Sequence, residues 1–271
     1  MSDAPVKTPP RILIIAGSDS SGGAGIQADI KTVTMLGGYA MTAITALTAQ
    51  NSVGVQGVEP VPADFVAAQI DSCLSDIGAD AVKIGMLGSP QVVEAAAVRL
   101  RGTGLPIVLD PVMVATSGAQ LSAEDTVAAM REHLFPIASL LTPNLPELAR
   151  LMNTELSDRE PIHTASGLLV GTTGCSVLTK GGHGEGERIE DLFVPVEGRW
   201  AEFDDARIET EHTHGTGCTL SSAIATLLGH GVPMEHAVRL ARKFVRAAIK
   251  NAPGFGAGHG PLGHQAVRSL D

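Results

Sequence analysis

The sequence predicts an α/β fold, a mostly parallel sheet with helices on both faces, and three observations point to it. Short continuous apolar runs, of the kind that fill a buried strand, recur along the chain. They alternate with longer segments whose apolar residues fall at helical spacing. Beyond Gly181 that alternation stops, and "ERIEDLFVPVEGRWAEFDDARIE" (187–209) reads as antiparallel strands ahead of two closing helices.

In order, "RILIIAG" (11–17) is an unbroken apolar run, hence a buried strand, and Ala24 to Leu36 is a helix marked by Ile26, Ile30, Val33 and Met35 or Leu36. "AMTAITALTA" (40–49) is a second strand. The helix "ADFVAAQIDSCLSDIG" (63–78) has Phe65, Ile70, Leu74 and Ile77 as its apolar markers. Strand "DAVKIGM", helix Pro90 to Leu100, strand "PIVLDPV" and helix "SAEDTVAAMREHL" follow. Next come strand "SLLTP", helix "LPELARLM", a short helix near 161–173 and strand "CSVLTKGG". The closing helices span 217–230 and 233–250, and no internal repeat is evident.

At 271 residues with 44% hydrophobic content, the chain has ample material for a sizeable core. No linker interrupts it, so residues 11–271 are expected to form a single domain behind a flexible, proline-rich arm, "MSDAPVKTPP" (1–10). No stretch has the length of a signal peptide or a membrane span, which predicts a cytoplasmic protein without a membrane partner. Cys73, Cys175 and Cys218 are odd in number and widely spaced, against a disulfide scaffold or zinc site and in keeping with a reducing compartment. A formal charge of −10, one Trp, one Tyr and no basic block argue against nucleic acid.

In a sheet of this kind ligands lie beyond the carboxyl ends of the strands. That rule selects Gly17 to Gly25, Gln50 and Asn51, Met86, Asp110 to Met113, Asn144 and Glu147, Lys180 to Gly182, and Gly215 to Cys218. Gly23 to Ala28 matches G-x-G-x-x-A, but it lies several residues past its strand, and no acidic residue follows the second strand to hold a ribose. No G-x-x-x-x-G-K-[ST] loop occurs.

Asn144 and Glu147, three apart, sit at the mouth of a helix, where a polar cap alone would explain them. With Asp110 they also form an oxygen-rich set able to hold a largely hydrated Mg²⁺ carrying phosphates. Lys180 adds a cation beside Gly181 and Gly182. His212 and His214 would share one face of a strand, but no acidic cluster accompanies them, which leaves zinc disfavoured. In "HTHGTGCTLSSAI" (212–224), Gly215, Thr216 and Gly217 present backbone N–H groups at a helix N-terminus, a site for anions. Cys218 then has two readings: a small buried side chain, or a thiol acidified by that field. Magnesium with a glycine-rich anion hole means phosphoryl transfer.

"AGSDSSGGAGIQADIKT", "KIGML", "LDPVM", "TPNLPE", "TKGGH" and "HGTGCTLSSAI" together resemble the hydroxymethylpyrimidine/phosphomethylpyrimidine kinases of thiamine biosynthesis, in the ribokinase-like superfamily. The resemblance runs from about Arg11 to about His264. It implies a three-layer α/β/α ribokinase-like fold, a homodimer, and ATP- and Mg²⁺-dependent phosphorylation of 4-amino-5-hydroxymethyl-2-methylpyrimidine, then of its monophosphate. It further implies that Asp29 and Gln50 read the aminopyrimidine, with Gly17 and Met86 lining the ring pocket and Val112 over it. By the same resemblance, Asp110 and Glu147 are the magnesium-side acids. Asn144, Lys180 and Gly182 lie on the nucleotide, Gly215 to Gly217 form the anion hole, and Cys218 is the base where relatives more often carry aspartate. A pyridoxal kinase would share the anion hole and metal acids and differ in the ring pocket. A non-catalytic sensor would have no need of a base.

Overall fold

The computed structural model describes residues 8–113, 118, 122–184 and 186–267. Eight strands form one sheet. In spatial order they are β10 (Ala201–Ala206), β9 (Arg188–Val194), β8 (Ser176–Thr179), β7 (Leu140–Leu141), β6 (Ile107–Leu109), β5 (Ala81–Ile84), β1 (Arg11–Ala16) and β2 (Tyr39–Ile44). From β8 to β2 every pairing is parallel, and β9 and β10 add the antiparallel edge expected after Gly181.

β1 explains why the apolar runs do not alternate with polar residues. Leu13 and Ile15 enter the core on one face and Ile12 and Ile14 the core on the other, all with no exposed surface. Each such side chain contributes about 1.5–3 kcal/mol by leaving water. On the first face α2 (Ala63–Asp76), α3 (Pro90–Leu100), α4 (Glu124–Ala129), α5 (Leu145–Met152) and α6 (Arg159–Thr173) supply Ile70, Val93, Val127, Leu148 and Leu169. On the second, α1 (Gly25–Met35), α7 (Thr216–Gly229) and α8 (Met234–Lys250) supply Val33, Ile224 and Phe244. Two helical layers thus enclose one sheet.

The segment read as one strand, 40–49, is broken at Thr45. The Thr45 N–H donates to the Ala16 carbonyl and its hydroxyl to the Met86 carbonyl, which fixes the turn out of the sheet. The chain then continues as β3 (Ala46–Gln50), which pairs antiparallel with β4 (Val55–Pro60) in a separate two-stranded sheet. β4 carries almost no buried residue, so its sequence has no core pattern to betray it. The helix expected over 122–134 is also shorter; after α4 the chain widens into a π-turn over Met130–Leu134. Residues 1–7 of the expected N-terminal arm lie outside the described residues.

Candidate active site

The carboxyl ends of the parallel strands open onto a cavity of about 820 Å³. Gly17 after β1, Gln50 at the end of β3, and Met86 after β5 line one part of it, with Asp110 and Val112 after β6. Asn144 and Glu147 at the start of α5, Lys180 and Gly182 after β8, and Gly215 to Cys218 at the start of α7 line the rest. Of the residues singled out from sequence, Asp29 is not part of the lining.

Gly215 caps α7 in a left-handed conformation, φ 83°, and a Cβ there would overlap the Gly23 carbonyl oxygen. Only glycine meets both demands. Thr216 donates its hydroxyl to the Thr213 carbonyl at 2.6 Å, which tightens the turn ahead of the helix. The Thr216 N–H, expected in the anion hole, donates instead to the Thr213 carbonyl at 3.2 Å, whereas the N–H groups of Gly217 and Cys218, as members of the first turn, have no intrahelical acceptor and suit an anion. At Gly217 a Cβ would lie 3.3 Å from both Asp110 Oδ2 and Lys180 Nζ, a tight contact that glycine avoids.

Asp110 Oδ1 accepts from Lys180 Nζ at 2.7 Å and from the Thr142 hydroxyl at 3.0 Å. Lys180 Nζ is 3.9 Å from Glu147 Oε2, so one ammonium serves two nearly buried carboxylates. Burial lowers the lysine's hold on its proton, but the two acids more than compensate and its pKa is raised. Burial drives the Glu147 carboxyl up, against the pull of Lys180 and with the push of Asp110. Asn144 and Glu147 form a reciprocal capping box: Asn144 Oδ1 accepts from the Glu147 N–H at 2.8 Å and Glu147 Oε2 from the Asn144 N–H at 2.7 Å. The cap reading therefore holds, and both residues still face the cavity. Among the described residues no cluster of three or more His, Cys, Asp or Glu could by itself hold a metal. A pair of carboxylates, with Asp110 Oδ2 left beside Gly217, fits Mg²⁺ of the kind that keeps most of its water and its phosphates.

Two expectations are corrected beneath this floor. Asp29 has no exposed surface, and both its oxygens accept from Lys83 Nζ, at 2.9 and 2.8 Å, while Oδ1 also accepts from the Ser222 hydroxyl at 2.7 Å. Its carboxylate is consumed by that pair. Cys218 borders the cavity and is partly exposed, yet the expected acidification does not occur. Removal from solvent pushes the thiol up to about 11; Lys83 and the Gly25 N–H pull it down, but Asp29 and Asp110 push with the burial.

Lys83 was absent from the sequence expectations, although the signal was available: a lysine between Val82 and Ile84 in a fully buried strand demands a buried counter-charge. The histidines ahead of Gly215 are not on a strand. His214 is buried and its Nε2 lies 2.9 Å from Asp19 Oδ2. No helix among the described residues is long and apolar enough to cross a membrane.

The family model described as phosphomethylpyrimidine kinase matches residues 19–263. The hydroxymethylpyrimidine/phosphomethylpyrimidine kinase of Streptomyces coelicolor is 44% identical over 260 residues, covering 96% of both chains. The thiamine biosynthesis bifunctional protein ThiED of Geobacter sulfurreducens is 47% identical over 255 residues; 93% of this chain spans about half, 52%, of that protein. Among solved structures, an ADP complex of Bacillus subtilis pyridoxal kinase superposes with a TM-score of 0.88 at 35% identity, covering 96% of this chain and 99% of that one. Matched over nearly its whole length by that family model and by relatives well above 30% identity, the chain belongs to the phosphomethylpyrimidine kinase family.

Proposed function

We propose that the chain transfers the γ-phosphoryl group of ATP to the hydroxymethyl oxygen of 4-amino-5-hydroxymethyl-2-methylpyrimidine. The monophosphate then receives a second phosphoryl group at the same site, giving the diphosphate used in thiamine diphosphate biosynthesis. The observation that carries this reading is the continuity of one cavity, from Gln50, Met86 and Val112 at one part to the α7 N-terminus, Asp110 and Lys180 at the other. Ring recognition and phosphate handling meet at Cys218.

The hydroxyl oxygen attacks the γ-phosphorus as its bond to the β-phosphate oxygen breaks and ADP leaves. The N–H groups of Gly217 and Cys218 stabilise the charge on the transferring oxygens, and they do so without reorganising. Lys180 neutralises charge on the nucleotide side, with Asn144 and Gly182 completing its contacts. Asp110 and Glu147 would hold Mg²⁺, which when bound would supply further charge neutralisation on the phosphates. Cys218 accepts the hydroxyl proton. A sulfur whose conjugate thiol lies near 11 is a strong base that is scarcely ionised, so turnover should climb with pH. A homodimer belongs to the same reading. Light scattering of the purified protein tests it.

A second reading, pyridoxal kinase, is favoured by the superposition on the Bacillus subtilis enzyme. Incubating the protein with ATP, Mg²⁺ and an equimolar mixture of hydroxymethylpyrimidine and pyridoxal separates the two. Mass spectrometry should find the pyrimidine mono- and diphosphates; pyridoxal phosphate as the dominant product overturns the proposal.

A further inference from the structure

The loop after β1 contains an acid that no step above uses. Asp19 is 1% exposed. Its Oδ1 accepts from the Ser21 N–H at 2.9 Å and the Ser21 hydroxyl at 2.8 Å, and its Oδ2 from the N–H groups of Gly23 at 3.1 Å and Ala24 at 2.7 Å. Burial opposes ionisation, but these donors and His214 prevail and hold the acid down to about 2, so it is an anion at working pH. His214 Nε2 lies 2.9 Å from Oδ2. Two lone pairs do not tolerate that distance, so Nε2 carries a proton and donates it.

That proton settles a second question. The same Nε2 is 3.2 Å from one end of the Gln50 amide. A protonated Nε2 keeps no lone pair to accept from an NH₂ group, which would set donor against donor, so this end of the amide is its oxygen, sharing the proton given to Asp19. The other end of the amide gives the same answer independently. It lies 3.3 Å from Thr48 Oγ1, whose single proton goes to the Ser18 carbonyl at 2.9 Å. Thr48 therefore offers Gln50 only lone pairs, and lone pairs want the NH₂. A half-turn of the amide satisfies both neighbours at once, and nitrogen and oxygen exchange places without any other movement.

We infer that the buried Asp19–His214 pair fixes the Gln50 amide with its oxygen toward His214 and its NH₂ toward Thr48 and the cavity. One N–H is taken by Thr48 and the other is left for a ligand. The site thus offers a donor at this position and favours heteroaromatic rings that bring a nitrogen lone pair to it. Asp19 and His214 are positioning residues, acting on specificity through Gln50. The ligand part of this inference rests on the proposal that Gln50 contacts the ring; the arrangement of protons does not.

Neutron diffraction from deuterium-exchanged crystals of the full chain tests the arrangement directly. The expected map has a deuteron on His214 Nε2 and the Gln50 ND₂ group beside Thr48. A bare Nε2, or ND₂ beside His214, overturns it. Gln50→Glu tests the consequence, because it keeps an oxygen toward His214 and replaces the donor by an acceptor. Its KM for hydroxymethylpyrimidine should rise roughly tenfold or more while the KM for ATP stays level. A pyrimidine KM unchanged or lowered by Gln50→Glu, when Gln50→Ala raises it, refutes the donor orientation. If both variants leave that KM unchanged, the ring contact itself fails, and the ligand part of the inference fails with it.

Discussion

Replacing Lys83 by methionine removes the ammonium bonded to both oxygens of Asp29 and leaves that carboxylate in a site with no exposed surface. The loss is larger than two hydrogen bonds, because a buried charge without its partner costs about 3–5 kcal/mol. The acid limits this penalty by taking up a proton. From an unfolded pKa of about 3.9, neutralising it costs about 4 kcal/mol at pH 7 and about 2 kcal/mol at pH 5.5. Since the folded pKa is raised above the unfolded one, the destabilisation grows as pH rises. Urea unfolding followed by circular dichroism should therefore give a loss near 4 kcal/mol at pH 7 that halves at pH 5.5. Lys83→Met combined with Asp29→Leu, which removes both charges, should recover most of the loss. A loss below about 1 kcal/mol at pH 7, or one equal at the two pH values, would mean that Asp29 is not left as an unpaired buried charge, because a packing defect has no such pH dependence.

Cys218→Ala should lower kcat by roughly 10²- to 10⁴-fold with little change in KM, and Cys218→Asp should retain more activity than Cys218→Ser; wild-type activity in the alanine variant returns Cys218 to a packing role. With its thiol near 11, the wild-type rate should rise about tenfold per pH unit through the neutral range and flatten in Cys218→Asp, whereas a wild-type plateau below about pH 8 contradicts the base assignment. Gln50→Ala should cost about 1–3 kcal/mol in pyrimidine recognition, read as a raised KM for the pyrimidine and not for ATP. Asp19, lowered from 3.8 to about 2, contributes about 2 kcal/mol of stability that is present above pH 4 and lost as pH falls toward 2. Asp19→Asn should remove that part of the acid-unfolding profile, and an unaltered profile counts against the pairing.

Most of the fold was legible because burial on both faces writes continuous apolar strands. The runs at 11–17, 81–84 and 107–109 are all fully or nearly fully buried in the sheet. β4 escaped because an exposed strand in a small second sheet has no core side to mark it. The site was legible through topology, since strand ends bring together residues as distant as Gly17 and Cys218. Two charges were misjudged for one reason. Whether an acid faces a ligand or a lysine, and whether a thiol at a helix N-terminus keeps its solvent, depends on the depth of packing around Asp29 and Cys218. Sequence spacing does not encode that depth. The role of His214 was hidden likewise, because its partner Asp19 is 195 residues away.

On the proposed function, this cavity takes a hydroxymethylated aminopyrimidine and phosphorylates it twice. The most direct measurement is kcat/KM for hydroxymethylpyrimidine, its monophosphate and pyridoxal on one preparation with saturating ATP and Mg²⁺. Both pyrimidines should exceed pyridoxal, and the monophosphate should competitively inhibit phosphorylation of the free pyrimidine because the two share one site. A larger kcat/KM for pyridoxal, or a monophosphate that is neither substrate nor competitor, would contradict that function.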